Sequence, residues 1–145
     1  MIYLDTSAFL RLYFCEAGSE LVQQFVMSQD DPLPLWDLLR AEITNAFHLK
    51  VFWRDITRSQ AAELLDRFDD RLRRGQYFVA DIDRGELLRA FKKLSAQTAE
   101  SGCRTMDILH VACAQQLAPQ CFISFDDRQR TLAAAVGLNV LPQRG

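Results

Sequence analysis

Asp5 ends the apolar run "MIYL" that opens the chain, Asp126 ends "CFISF", and Glu42 and Asp107 break the apolar stripes of "LLRAEITNAF" and "TMDILHVACA". A carboxylate in such a place needs a cation, hydrogen-bond donors or a proton, because burying its charge alone is costly. Each acid has a local explanation. Asp5 terminates a strand, Asp126 is a turn residue or N-cap in "FDDRQ", Glu42 pairs with a neighbouring Arg, and Asp107 meets the positive end of its helix. Four separate accidents in so short a chain are a weaker account than one shared cause, a site for a divalent cation. Mg²⁺, with Mn²⁺ as a substitute, takes oxygen ligands and keeps several waters, and these four acids offer oxygen with no sulfur and no required His.

Several neighbours bear on that site. Asp127 directly follows Asp126 and competes with it as the fourth ligand, and the first of the pair is chosen because it is nearer the strand end. Asp37, five residues before Glu42, faces another side of the helix. Asn45 could orient Glu42 from behind, and Thr6 could cap the first helix. His110, three residues after Asp107, is read as a core histidine satisfied by a backbone carbonyl, with contact to a ligand carboxylate or to substrate as the other reading. Arg40, Arg104 and Arg128 flank the acids and serve either as phosphate contacts or as members of surface ion pairs.

The elements that must position these residues follow from periodicity and punctuation. Strands are expected at "MIYLD", Tyr77 to Asp81, Cys121 to Phe125 and "LNVLP". Helices are expected from Ser7 to Cys15, from Gly18 to the two prolines of "DDPLP", and from Trp36 to about Trp53. Others run from the capping box of Thr57 and Gln60 to Gly75, from Asp83 and Glu86 to Gly102, from Thr105 to near Pro119, and to Gly137. Strands separated by helices and lacking polar alternation imply a parallel sheet covered on both faces. The fold class is therefore α/β, a three-layer sandwich whose central parallel sheet of four to five strands is flanked by about seven helices. Because ligands in such sheets sit beyond the carboxyl ends of strands, Asp5 and Asp126 share a rim if their strands are neighbours.

With 145 residues, 49% of them hydrophobic and 25% charged, the chain is expected to form one domain over 1–145 with a real core. Cys15, Cys103, Cys113 and Cys121 form no CxxC pair and are read as reduced core thiols, which together with the absence of a leader or a membrane-length apolar window points to the cytoplasm. A net charge of -2 argues against broad electrostatic capture of nucleic acid and leaves room for local basic patches. Arg71, Arg73 and Arg74 read as a solvated helix end. Phe9, Leu10, Leu12, Tyr13 and Phe14, and again Phe47, Leu49, Val51, Phe52 and Trp53, give their helices more apolar surface than one core face requires. A second copy or a partner segment is expected to cover it.

"IYLDTSAFLRLY", "AEITNAF", "RTMDILHVACA" and "FISFDDRQRTLAAAVGLNVL" resemble, in order and from Ile2 to Leu141, the four motif blocks of the PIN-domain family, and closely its VapC-like toxin branch. The resemblance implies metal-binding carboxylates at Asp5, Glu42, Asp107 and Asp126, with a supporting hydroxyl at Thr6 or Ser7. It further implies a metal-dependent endoribonuclease toxin that hydrolyses RNA, is restrained by a cognate antitoxin protein, and forms a homodimer. The alternative is a PIN-like module that binds RNA or a partner without cutting. A haloacid-dehalogenase-type phosphatase is disfavoured because Ser7 stands where its second acid belongs, and a receiver domain because the last lysine is Lys93.

Overall fold

The computed structural model describes residues 1–144. In chain order the elements are β1 (Ile2–Leu4), α1 (Thr6–Leu10), α2 (Ser19–Met27), β2 (Leu33–Leu35), α3 (Asp37–Phe52), α4 (Arg58–Arg73) and β3 (Tyr77–Val79). They continue with α5 (Arg84–Ser95), α6 (Thr98–Ser101), α7 (Thr105–Leu117), β4 (Cys121–Ile123), α8 (Asp127–Ala135) and β5 (Val140–Leu141). All strand pairs are parallel. β4 lies between β1 and β5, with Ile2 opposite Cys121 and Leu4 opposite Ile123, and β2 pairs with β3.

β2 is a strand that the sequence reading placed in the "DDPLP" helix stop. Its two leucines carry the ladder to β3, through Leu33 N–H to the Gln76 carbonyl at 3.0 Å and Ala80 N–H to the Leu35 carbonyl at 2.7 Å. Pro34 between them has no N–H to offer the other side, where β1 lies, so the five strands are hydrogen-bonded as three and two. α1 is shorter than expected because the chain turns after Leu10. The fifth helix breaks at Ala96, leaving α6 as a separate turn before Gly102, so that eight helices are described rather than about seven.

Every residue of β1 and β4 is buried, as strands covered on both faces must be. On one side Phe9, Tyr13, Phe47, Phe68 and Tyr77 pack ring against ring and join α1, α3, α4 and β3. On the other, α7 is buried along Ile108 to Ala114 and packs against α5 and α8, which suits a helix with no polar stripe. Phe14 stacks edge-on against Phe47 with Lys50 above its ring, so the apolar excess of the first helix is largely covered within the chain. The excess of the third helix remains open at its end, where Phe52 is 79% and Trp53 57% exposed. The capping box of Thr57 and Gln60 forms as expected. Arg71 departs from expectation: its guanidinium lies over Tyr13 and donates to the Tyr77 hydroxyl instead of facing water. Among the described residues no helix is long and apolar enough to cross a membrane.

Candidate metal centre

The β1–β4 register decides where the first acid lies. Asp5 N–H continues the ladder to the Ile123 carbonyl at 3.1 Å, so Asp5 comes level with Ser124 at the carboxyl ends of both strands. Asp5 is only 3% exposed. Its Oδ1 accepts from Ser7 Oγ at 2.7 Å and from Ala8 N–H at 2.8 Å, and its Oδ2 accepts from Ser124 Oγ at 2.7 Å. Both serines also accept from the loop after β4, Ser7 Oγ from Phe125 N–H across the rim and Ser124 Oγ from Asp126 N–H two residues on. Burial pushes the Asp5 carboxyl up from its ordinary value, and the donors of Ser124, Ala8 and Ser7 only partly oppose it. No Lys or Arg among the described residues forms an ion pair with Asp5.

Glu42 reaches the same neighbourhood from α3. Its Oε1 accepts from Thr6 Oγ1 at 2.7 Å and lies 2.5 Å from His110 Nε2. Burial raises the Glu42 carboxyl, but the hydrogen bonds from His110 and the Thr6 hydroxyl outweigh it and leave the group lowered. The expected roles of several neighbours change here. His110 meets Glu42 rather than a backbone carbonyl, and its Nδ1 is 2.7 Å from the Tyr3 hydroxyl. Asn45 is exposed and lines a shallow surface groove with Arg40, Thr44 and His48, away from the partners that hold Glu42. Asp5, not Thr6, caps α1.

Asp107 and Asp126 approach through their helices. Asp107 Oδ2 accepts from Arg104 N–H at 3.0 Å in the first turn of α7, and Asp126 caps α8 by accepting from Gln129 N–H at 2.9 Å. Gln129 ties the two together, since its Nε2 donates to the Asp107 carbonyl at 3.3 Å, while its buried Oε1 has no partner. Asp127 is exposed and ion-paired with Arg144. Asp37 is exposed on another side of α3, beside an apolar groove lined by Leu38, Val79 and Leu88. Arg40, Arg104 and Arg128 form no ion pair among the described residues, which removes the ion-pair account of them. Cys103, Cys113 and Cys121 are free and buried as expected, whereas Cys15 is exposed.

Asp5 and Asp126 are thus one serine apart, Asp5 and Glu42 are held by the consecutive residues Thr6 and Ser7, and Gln129 links Asp107 to Asp126. Each carboxylate nevertheless has a donor of its own, and no three His, Cys, Asp or Glu side chains of the described residues stand close enough to hold an ion as they lie. The donor set fits a hard cation in kind. It is all oxygen, it includes a buried carboxylate without a basic partner, and beside it lies an amide oxygen, Gln129 Oε1, with no donor. As they lie, Asp107 and Asp126 are held by their capping contacts at the starts of α7 and α8.

Sequence reasoning missed Ser124, Gln129, Tyr3 and Trp36. Ser124 had a faint signal, a lone hydroxyl within an apolar strand two residues before the acid. The others act across contacts no local pattern reveals.

Residues 2–135 match the PIN domain family. Ribonuclease VapC46 of Mycobacterium tuberculosis is 28% identical over 145 residues, spanning 97% of this chain and 95% of the relative. FitAcB from Neisseria gonorrhoeae superimposes with a TM-score of 0.71 at 16% identity, over 98% of this chain and 97% of that one. VapC20 of Mycobacterium tuberculosis, a sarcin-ricin loop cleaving toxin, does so with a TM-score of 0.66 at 16% identity, over 95% and 96%. Likeness at that identity speaks to the fold, and it agrees with the α/β architecture described above.

Proposed function

This chain belongs to the PIN-domain family, and from that premise we propose that it is a divalent-metal-dependent endoribonuclease, the toxin of a toxin–antitoxin pair, working in the cytoplasm as one domain over residues 1–145. The observation that carries the reading is Asp5, a buried carboxylate at a strand-end rim with hydroxyl and amide donors but no basic side chain paired to it. The relative named a ribonuclease supports the substrate class.

Mg²⁺ or Mn²⁺ held by Asp5, Glu42, Asp107 and Asp126 would supply Lewis acidity toward the scissile phosphate and a water of lowered pKa. The protein's own part is to fix the ligands and the RNA. Ser7, Ala8 and Ser124 keep the Asp5 carboxylate in one orientation, and Thr6 and His110 hold Glu42 by one oxygen. Arg40, Arg104 and Arg128, free of ion pairs among the described residues, take RNA phosphates on either side, which reconciles a mildly acidic protein with a polyanion. The exposed Phe52 and Trp53 are offered to a cognate antitoxin or a second copy of the chain.

A second reading, a PIN-like module that binds RNA or a partner without cutting, draws on the capping contacts that occupy Asp107 and Asp126. One experiment separates the two. Purified protein is incubated with total RNA and Mg²⁺, with EDTA and Asp5→Asn as controls. Discrete fragments that vanish with EDTA and fall by at least about 100-fold in the variant support the nuclease, given that even residues behind the ligands cost about 10–100-fold. RNA left intact by metal-loaded wild type supports the binding module.

A further inference from the structure

A chain of polar groups runs from Trp36, at the N-cap of α3, to Glu42, and one of its members fixes the direction of all the others. Trp36 Nε1 lies 2.9 Å from the Tyr3 hydroxyl, the hydroxyl 2.7 Å from His110 Nδ1, and His110 Nε2 2.5 Å from Glu42 Oε1. Tyr3, Trp36 and His110 are all less than 5% exposed. An indole N–H only donates. The Tyr3 oxygen therefore accepts from Trp36, and its own proton is free for the imidazole. The Cys113 thiol also lies near the phenol, but sulfur is the weaker acceptor. In the neutral ring Nδ1 thus accepts, the proton resides on Nε2, and Nε2 donates to Glu42 Oε1.

We propose that Tyr3 and Trp36 are positioning residues for Glu42: they hold His110 in its Nε2-protonated tautomer, so that His110 and Thr6 both engage Oε1 and the second carboxylate oxygen is left for a cation. Among the described residues nothing donates to Glu42 Oε2. A neutral imidazole without this constraint chooses between two tautomers, and the Nδ1-protonated form would set a lone pair against the carboxylate. The inference rests on the metal-dependent reading above for its consequence and on geometry alone for the tautomer.

The test begins with ¹⁵N-labelled, metal-free His48→Gln protein, in which His110 is the only histidine. Its ring nitrogen shifts at pH 7 are expected to show a protonated Nε2 and a bare Nδ1. Tyr3→Phe removes the donor to Nδ1 and should turn this into a tautomer mixture, and it should raise the Mg²⁺ concentration at half-maximal thermal shift by about 10–100-fold. Trp36→Phe, which keeps an aromatic ring in the core, should move both readouts in the same direction, and it stands in if Tyr3→Phe does not fold. A wild-type ring protonated at Nδ1, or unchanged tautomer and Mg²⁺ midpoint in the folded variants, would overturn the proposal. If the tautomers respond but Mg²⁺ stabilises neither wild type nor variant, the metal-dependent reading has failed, and the positioning role fails with it, while the assigned direction of the hydrogen bonds stands.

Discussion

At the scale of single residues, Asp5 and Glu42 are shifted in opposite directions by what surrounds them, and the signs give separate tests. Asp5 is raised by burial, so its contribution to stability is present below its unfolded value and is lost as pH rises through its folded value. Asp5→Asn keeps an oxygen for Ser7 and Ala8 and offers Ser124 an N–H, so metal-free protein at pH 7 should melt higher in the variant than in wild type, by about 3 °C per kcal/mol recovered. Glu42 is lowered, despite its partial burial, by His110 and Thr6. Its contribution is present above the unfolded value and lost as pH falls through the folded one, so in EDTA Glu42→Gln should show less acid-side destabilisation than wild type. Melting curves across the acid range check both signs, and an Asp5→Asn protein that melts lower at pH 7 would contradict the first. The acids themselves are legible in sequence because they interrupt apolar patterns. Ser124 is not, since a hydroxyl is small enough to sit in a strand without disturbing it, and its role depends on a partner 119 positions away.

At the scale of elements, the rim is kept in shape by contacts between loops. Arg11 donates to the Ser7 and Ala17 carbonyls and lies 3.8 Å above the Phe125 ring, joining the turn after α1 to the loop after β4. Gly18 completes this contact. Its φ is +92°, and a Cβ there would come within 2.5 Å of Phe125. Gly18→Ala should cost about 1–3 kcal/mol in denaturant unfolding, and through Phe125 it should also weaken Mg²⁺ stabilisation. Phe47, fully buried where α1 and α4 meet α3, should cost about 3–5 kcal/mol on truncation to Ala without altering the rim. β1, β4 and most helices can be read from apolar runs, caps and glycine stops, which are local properties. β2 cannot, because the two prolines of "DDPLP" read as a helix stop and its partner β3 lies some forty residues away. The tight turn after Leu10 is equally hidden, since Leu12, Tyr13 and Phe14 continue the apolar content of a helix while packing as a loop.

At the scale of the whole molecule, the proposed function assigns two outward surfaces to different partners. The proposed phosphate contacts make RNA binding depend on salt, and Arg104→Ala and Arg128→Ala should each weaken it across sequences and reduce the salt slope by about 1. The apolar end of α3 is the proposed surface for a protein partner, so Trp53→Asp should weaken self-association or antitoxin binding, and unchanged mass by light scattering with unchanged antitoxin affinity would remove that role. Fold class and the rim are legible at this scale because alternating strands and helices leave few topologies open, whereas how closely the acids approach one another depends on rotamers that no pattern encodes. Whether they converge on one ion is decided most directly by calorimetric titration of Mn²⁺ into wild type and into Asp5→Asn, Glu42→Gln, Asp107→Asn and Asp126→Asn. Saturable binding that each substitution weakens by at least about 10-fold is the expected result. Binding to wild type that is absent, or indifferent to all four substitutions, would contradict a shared cation.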